Sequence, residues 1–161
     1  MNIKVINQGK DISRVIINDT ETYNSLSTRN LLDLIKVFKK LDNDKKIKAI
    51  ILEGAGKGFS AGHNLKEVKG LKKRKKYQKL FNLCSKLMLQ IIEGRKPVIA
   101  KVHGAAYAAG CQLVASCDLA YSTKDALFAT PGVNIGLFCS TPMVAVSRKI
   151  NRKPMMKMLL L

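Results

Sequence analysis

Two segments of the chain share one pattern: a short apolar run, several small residues, then Ala-Gly, a further residue, a polar residue and leucine. The first is AIILEGAGKGFSAGHNL, residues 49–65, and the second is PVIAKVHGAAYAAGCQL, residues 97–113. A short apolar run closed by glycine is typical of a buried strand. Two such strands that lead into equivalent turns are what successive turns of one spiral would give. Because small residues let another backbone approach closely, we expect each turn to lie against a ligand or a packed neighbour.

The rest of the sequence alternates between strand and helix patterns, which indicates an α/β fold. IKVINQGKDISRVIIND alternates apolar and polar residues around Gly-Lys-Asp and predicts a hairpin. Ser27 is a candidate N-cap for a helix. That helix places five apolar residues at helical spacing: Leu31, Leu34, Ile35, Phe38 and Leu41. Further helices are expected over residues 75–94, in AGCQLVASC and in PMVAVSRKI, with strands in IKAIILEG, PVIAKVHG, DLAYST and ALFATP.

The net charge of +18 is the strongest compositional feature, and residues 69–79 alone carry seven Lys or Arg. Such a block attracts anions, whether nucleic acid, an acidic membrane surface or a phosphate-rich cofactor. A solvated lysine-rich surface is the alternative. No aromatic residues are interleaved for base stacking, so we expect no specific nucleic acid partner. No apolar run approaches the roughly 20 residues of a membrane-spanning helix, so no transmembrane segment is expected.

At 161 residues the chain is expected to form one domain over residues 1–161. Its first residues, MNIKVINQG, lack the pattern of a targeting peptide, which favours an intracellular protein. The four cysteines form no CxxC pair and have no histidine at ligand spacing. We therefore expect reduced thiols, with Cys111 and Cys117 buried, and no metal site.

The two Ala-Gly turns present backbone N–H groups, and the second is expected at a helix N-terminus, where amides are unpaired. Two amides aimed at one point would form an oxyanion hole. Small side chains there would leave room for a flat carbonyl group. Close packing of strand on helix is the alternative explanation of the same residues.

FSAGHNL, residues 59–65, and AAGCQLVASCD, residues 108–118, resemble the paired signature turns of the enoyl-CoA hydratase/isomerase (crotonase) superfamily. NSLS at residues 24–27, PVIAKVHG and FATPGVNIGLF extend the resemblance over nearly the whole chain. Together the two turns look most like the enoyl-CoA hydratase domain-containing branch. The resemblance implies a crotonase-like ββα spiral core. Because the family continues well beyond this point, it also implies that the C-terminal helical part is missing or truncated.

The resemblance also implies a coenzyme A thioester as substrate or ligand, with no tightly bound cofactor. The first donor to the thioester oxygen would be the amide of His63, and the second that of Ala109 or of Gly110. In the family the adenine end of coenzyme A runs along the first turn. The basic side chains of residues 66–79 of this chain would then lie near the phosphates. The matching residues here are Ser60, Ala61, Gly62, His63, Asn64, Leu65 and Lys66.

Family hydratases carry two glutamates, and the matching positions here hold Gln112 and Gly132. Glutamine cannot accept a proton at neutral pH, although it can hydrogen-bond and position a water molecule. The imidazole of His63 is an alternative base, or its ring faces solvent or coenzyme A. The resemblance thus implies an enoyl-CoA hydratase/isomerase-type protein, lyase or isomerase, with little classical hydration. The alternative is a non-catalytic acyl-CoA-binding or scaffold protein of the same fold.

Two further expectations come from the resemblance. The family implies fatty acid metabolism and a homo-oligomer, trimer or hexamer. Members of the branch that the turns resemble are often mitochondrial, and the cytoplasm is the alternative location. Independently, the apolar residues of RKPMMKMLLL would favour self-association if they are exposed.

Overall fold

The computed structural model describes residues 2–161, and Met1 lies outside them. Its strands are β1 (Ile3–Gln8), β2 (Ile12–Ile17), β3 (Ala49–Gly54), β4 (Val98–Val102), β5 (Ala105–Tyr107), β6 (Leu119–Ser122) and β7 (Leu127–Ala129). Its helices are α1 (Thr28–Asn43), α2 (Leu65–Gly70), α3 (Arg74–Ile92), α4 (Ala109–Ser116), α5 (Ser140–Val146) and α6 (Arg152–Leu160). Two short 3₁₀ helices lie at Thr20–Thr22 and Pro131–Ile135.

The strands form a larger and a smaller sheet. The larger has the order β1-β2-β3-β4-β6, with β1 antiparallel to β2 and the other neighbours parallel. The smaller pairs β5 with β7 in parallel. Each parallel connection in the larger sheet contains at least one helix, as crossover connections require. The α/β class expected from the sequence is confirmed.

Helices α1 and α3 cover one face of the larger sheet. Val15, Leu52 and Ala100 stand opposite one another on β2, β3 and β4, and all three are fully buried. The helices bury apolar residues at helical spacing, among them Leu31, Leu34, Leu80, Cys84, Leu87 and Ile91. On the other face the buried carboxylate of Glu53 is paired with Arg14 and with Lys101, whose Nζ lies 3.3 Å away.

Most predicted elements form within a few residues of their expected bounds. The hairpin is present, and the Ser27 hydroxyl accepts a hydrogen bond of 3.2 Å from the amide of Asn30, which confirms it as the N-cap of α1. The short elements α2 and β5 were not predicted. Six residues carry too little periodicity for a confident assignment. The three residues of β5, Ala-Ala-Tyr, carry little of the β-branched signal that marks strands.

Apolar side chains are exposed over the part of the surface formed by β6, β7 and the segments that follow. They include Leu119, Tyr121, Leu127, Phe128, Ile135, Leu137, Phe138, Leu160 and Leu161. We name these residues the apolar surface. Among residues 2–161, no helix combines the length and hydropathy that crossing a bilayer requires.

Candidate functional site

The two small-residue turns lie side by side and are joined through their backbones. The amide of Ser60 donates to the carbonyl of Ala105 over 3.1 Å, and the amide of Tyr107 donates to the carbonyl of Ser60 over 2.9 Å. These bonds make a parallel bridge between Ser60 and Ala106. The fold therefore brings together two turns that are about 48 residues apart in the chain, as the repeated pattern led us to expect.

Glycine is required where the turns meet. Gly62 has a φ of +87°, and a β-carbon there would lie 2.8 Å from the carbonyl oxygen of Tyr107 and 3.1 Å from the amide nitrogen of Ala109. A β-carbon on Gly110 would collide with the carbonyl oxygen of Ser60. The first turn and the start of α4 thus touch backbone to backbone, which only residues without a β-carbon permit.

A third segment, between β2 and α1, braces the first turn. The amide of Leu26 donates to the carbonyl of Gly62 over 2.7 Å, and the Ser60 hydroxyl donates to the carbonyl of Asn24 over 2.8 Å. Ser60 is fully buried, so its hydroxyl contributes to this bracing. The first turn is therefore held on both sides, by Leu26 and by the second turn.

Asn24 fixes the bracing segment. It has a positive φ of 55°, which asparagine tolerates better than most residues, and its side chain is buried. Its Nδ2 donates to the carbonyls of Ala55 and Gly58 over 2.7 and 2.8 Å, and its Oδ1 accepts from the amide of Asp19 over 2.9 Å. The two Nδ2 bonds hold the loop before the first turn in place, and the bond from Asp19 fixes the bracing segment itself.

Three amides at the meeting point of the turns are unengaged. Within residues 2–161, no acceptor takes the amide hydrogen of His63, Ala109 or Gly110. By contrast, the amide of Gln112 donates to the carbonyl of Ala108 over 3.0 Å. The first amides of any helix lack partners within the helix, and they carry the positive end of its dipole. His63 follows Gly62, whose β-carbon would lie 3.1 Å from the amide nitrogen of Ala109, so the His63 amide belongs to the segment that meets the start of α4.

Ala108 adopts a rare backbone conformation just before α4, with φ +49° and ψ −117°. Such a conformation costs about 1–3 kcal/mol for a residue other than glycine. Its amide is held by the carbonyl of Ala129 on β7 over 2.8 Å. The peptide group between Ala108 and Ala109 carries the Ala109 N–H, so this strained residue sets the direction of that amide.

The side chain of His63 is half-buried. Its Nδ1 lies 3.1 Å from the carbonyl oxygen of Leu26, and its ring packs edge-on against Phe81 with centroids 5.2 Å apart. Burial lowers the pKa of the imidazole, while the Leu26 carbonyl and the charge of Glu67 oppose that shift. A neutral ring whose Nδ1–H donates to Leu26 fits these contacts. The ring is thus tied to Leu26 and Phe81.

Gln112 lies one turn into α4 and is 6% exposed. Its Oε1 is buried and has no hydrogen-bond partner, and no other side-chain nitrogen or oxygen within residues 2–161 is in that position. Ala109 and Gln112 are three residues apart and share one face of the helix. Gln112 therefore contributes a buried carboxamide to the first turn of α4.

Gly132, the other residue that the sequence analysis assigned to an acid position, lies in the 3₁₀ helix Pro131–Ile135 and is buried. A β-carbon there would lie 2.8 Å from the Cys139 sulfur and would collide with the carbonyl oxygen of Leu137. The amide of Leu137 donates back to the carbonyl of Gly132 over 2.8 Å. This folded-back loop leaves no room for a carboxylate side chain.

The residues that follow the first turn lead to the protein surface. Asn64 caps α2 by accepting a 3.1 Å hydrogen bond from the amide of Glu67, and Glu67 accepts one of 3.0 Å from the amide of Thr28. Leu65 and Lys66 are exposed. The exposed lysines of residues 66–79 continue from this point through α2 into α3. The chain therefore runs from the first turn directly into a basic surface.

The remaining titratable candidates have structural roles. His103 Nε2 lies 2.8 Å from the carbonyl oxygen of Gly56, and Asp118 accepts a 2.7 Å hydrogen bond from the amide of Val98. The four cysteines are buried. Burial raises the pKa of Cys84 to about 12 and that of Cys111 to about 11, so neither thiol is a nucleophile at neutral pH.

Comparison with known proteins identifies relatives of this architecture. Residues 7–161 match the sequence profile of a family described as Enoyl-CoA hydratase/isomerase. The mitochondrial enoyl-CoA hydratase domain-containing protein 3 of Xenopus laevis is 44% identical over 157 residues, which are 98% of this chain and 53% of that protein. The chain spans about half the length of the curated relatives it matches.

Solved structures agree with the sequence comparison. The crystal structure of enoyl-CoA hydratase from Mycobacterium smegmatis superposes with a TM-score of 0.96 at 44% identity, covering 99% of this chain and 62% of that one. Human enoyl coenzyme A hydratase domain-containing protein 3 gives a TM-score of 0.94 at 41% identity, again over 99% and 62% of the two chains. Both neighbours have sequences similar enough to indicate kinship as well as a shared fold.

Proposed function

Because the chain belongs to the enoyl-CoA hydratase/isomerase family, we propose that it binds an acyl-CoA thioester and holds the thioester oxygen between two main-chain amides. His63 supplies the first donor and Ala109 the second, with Gly110 as the alternative second donor. The observation that carries this proposal is the contact of Gly62 with Ala109, next to three amides that have no other acceptor. Rigid, unpaired donors beside each other are what an oxyanion hole needs.

The physical benefit of this arrangement appears when charge develops on the thioester oxygen. Removing a proton from the neighbouring carbon, or adding a nucleophile to a conjugated double bond, moves negative charge onto that oxygen. Two fixed N–H groups stabilise the resulting enolate without any rearrangement, and the loss of one typically raises the barrier by about 3 kcal/mol. The strained Ala108 and the bracing by Leu26 support this function because they fix both donors.

The coenzyme A portion would extend along the first turn. The backbone of residues 60–65 would line its adenine end, and Lys66 with the lysines that follow would face its phosphates. The exposure of these lysines and the net charge of +18 support this part of the proposal. No tightly bound cofactor is needed, since coenzyme A arrives as part of the ligand.

Classical hydration has weak support in this chain. General acid–base catalysis requires a positioned proton carrier. The buried carboxamide of Gln112 cannot act as one, and the loop at Gly132 has no space for one. We therefore favour a fatty acyl-CoA-binding protein of the lyase or isomerase type with little hydratase activity. The absence of an acidic side chain at both positions is also what the alternative, a non-catalytic acyl-CoA-binding or scaffold protein, would show.

Assembly and location belong to the proposal as well. A homo-oligomer, trimer or hexamer as in the family, would cover part of the apolar surface. A mitochondrial location is proposed because similar proteins from Xenopus laevis and human carry that word in their names, with the cytoplasm as the alternative.

Calorimetric titration with matched ligands tests the proposal. Acetyl-CoA and S-ethyl-CoA differ only in the carbonyl oxygen, which the thioether lacks. We expect saturable binding of both through the coenzyme A portion, with acetyl-CoA about tenfold tighter because only it accepts from the two amides. Equal affinities would rule out the oxyanion site. Failure of both ligands to bind below millimolar concentration would rule out coenzyme A recognition as well.

A further inference from the structure

Residues 68–92 carry eight Lys or Arg and no Asp or Glu. They include the end of α2 and the whole of α3, and all eight basic side chains are exposed. Among residues 2–161, none of the eight takes part in an ion pair. Because like charges repel one another, such a stretch is stabilised by a negatively charged partner.

Part of this charge lies in an open groove on the outer side of α1 and α3, which we name the helix groove. Its two parts have volumes of about 680 and 530 Å³ and share Asn82 and Lys86 as lining residues. Lys39 of α1 lines the first part, and Lys75 and Lys79 line the second. Lys79 lies four residues after Lys75 and Lys86 seven residues further on, so the three share one face of α3. The helix groove therefore collects four ammonium groups.

The acidic side chains of the helix groove, Asp42 and Glu93, line its first part. Asp42 is paired with Arg95, whose Nε lies 3.2 Å from Oδ2 and whose backbone amide donates to Oδ1 over 2.7 Å. Glu93 directly follows α3, about 10 Å along the helix axis from Lys86. The second part is lined by lysines, neutral amides and Leu83. It offers positive charge and hydrogen-bond donors, which suit a phosphate group.

Exposed apolar side chains accompany these lysines. Leu89 lines the helix groove three residues after Lys86 and is 51% exposed, and Ile92 is 55% exposed. Lysines beside exposed apolar residues are typical of a helix that lies on an anionic membrane, where lysines contact lipid phosphates and apolar residues enter the headgroup region. Nucleic acid carries the same charge but gains nothing from an exposed leucine, and no aromatic ring of residues 2–161 lines the helix groove for base stacking.

We propose that the outer faces of α1 and α3 bind the surface of a membrane that contains anionic phospholipids, with lipid phosphates at the lysines of the helix groove and Leu89 among the headgroups. This is a second binding role, and it does not depend on the thioester site. Phe81, which packs against His63, lies two residues after Lys79, and such positions on a helix point about 200° apart. The membrane-binding face is therefore directed away from the first turn.

Cosedimentation of the whole chain with lipid vesicles tests the proposal. We expect binding to phosphatidylcholine vesicles that contain about 30% phosphatidylglycerol and none to phosphatidylcholine alone, because each lysine near an anionic surface raises affinity about fivefold. Binding should weaken as the salt concentration rises. Equal binding to both kinds of vesicle, or binding to neither, would overturn the proposal. Either result would leave thioester binding, measured with acetyl-CoA, unaffected.

Matched variants locate the contact. Lys39 and Lys86 lie outside residues 66–79, which are assigned to coenzyme A. Lys39→Gln/Lys86→Gln should therefore weaken vesicle binding at least about tenfold and leave acetyl-CoA binding unchanged. Lys10→Gln/Lys124→Gln removes the same charge from two exposed turns and should weaken vesicle binding less than about threefold. Equal losses in the two double variants would mean that net charge alone attracts the vesicles, and would overturn the proposal.

Leu89→Gln distinguishes a membrane from nucleic acid. It keeps every charge and removes the apolar side chain that enters the headgroups, so vesicle binding should fall at least about threefold. Retention of a DNA duplex should not change. Unchanged vesicle binding in Leu89→Gln would overturn the proposal. Tighter binding of the native chain to a DNA duplex than to anionic vesicles, at equal phosphate concentration, would also overturn it and identify a nucleic acid partner instead.

Discussion

Gly62 and Ala109 lie so close that a β-carbon on Gly62 would be 3.1 Å from the amide nitrogen of Ala109. The two residues belong to turns that follow β3 and β5, and both turns are fixed by hydrogen bonds to further segments. The contact joins the segment that carries the His63 amide to the start of α4. Thioester binding by the amides of His63 and Ala109, as proposed, requires this contact.

Gly62→Ala should disrupt the site and destabilise the protein. The energetic cost of alanine at a φ of +87° adds to the cost of its close contacts with Tyr107 and Ala109. We therefore expect a loss of about 2–4 kcal/mol in the free energy of unfolding. Gly9→Ala is a matched control, because Gly9 has a φ of +71° and nothing within 4 Å of the added carbon. The control should lose only about 1 kcal/mol. Denaturant unfolding measures both, and equal losses would show that the turns do not touch as described.

Ala108→Gly should weaken ligand binding without lowering the stability of the protein. Glycine adopts the φ of +49° without strain, so we expect stability to stay unchanged or to rise by up to about 1 kcal/mol. The less rigid peptide should hold the Ala109 amide less firmly, so affinity for acetyl-CoA should fall about threefold. Ala61→Gly is the control, since Ala61 has no positive φ and should only lose about 0.5–1 kcal/mol. A clear destabilisation by Ala108→Gly in thermal unfolding would contradict the strain at this residue.

Gln112→Glu and Gly132→Glu should have unequal effects on the hydration of crotonyl-CoA. The buried Gln112 position already holds a side chain of nearly the same size, so its glutamate variant should fold and raise hydration at least about tenfold above the native chain. Gly132→Glu should unfold or distort the loop, because its β-carbon meets Leu137 and Cys139. The loss of ultraviolet absorbance by crotonyl-CoA measures the rate. If the native chain hydrates crotonyl-CoA at rates typical of hydratases, the conclusion that Gln112 and Gly132 replace the catalytic acids is wrong.

His63 should make stability fall in mild acid. Its pKa is lowered in the folded protein by burial, whereas in the unfolded chain it returns to about 6.5. Between these values the unfolded state binds more protons, so stability rises with pH. The contribution of the neutral His63 ring to the free energy of unfolding is fully present above about pH 6.5 and is lost as the pH falls below that value. His63→Gln should reduce the slope of unfolding free energy between pH 7 and pH 5, and an unchanged slope would contradict the burial of the imidazole.

Much of the fold follows from local sequence patterns. The apolar spacing after Ser27 and the serine itself define α1, and the short apolar runs closed by Gly54 and Gly104 mark β3 and β4. The conformation of Ala108 could not be predicted, because alanine avoids positive φ and adopts it only where the surrounding structure compels it. The bracing by Asn24 could not be predicted either, because the two carbonyls that accept from its Nδ2 lie more than 30 residues away in the chain.

The sequence predicted some features of the candidate site and not others. The small residues of the two turns predicted their close approach, and Gly62 and Gly110 make that approach possible. No sequence pattern predicted that the His63 ring packs against Phe81, since that contact depends on how α3 packs. Nor could it show that Gln112 is buried without a partner, because hydrogen-bond satisfaction depends on the whole surrounding structure.

The most direct test of the proposed site observes the thioester carbonyl itself. Infrared difference spectra of acetyl-CoA carrying ¹³C at the carbonyl report how strongly that group is polarised by hydrogen bonds. Binding to the native protein should shift the carbonyl stretch to lower frequency. Replacing Ala109 by its α-hydroxy acid, which exchanges the N–H for an oxygen and leaves the side chain unchanged, should remove about half of that shift. A bound carbonyl stretch at the frequency of free acetyl-CoA, or a shift unchanged by the replacement of Ala109 and by the same replacement of Gly110, would contradict the proposal.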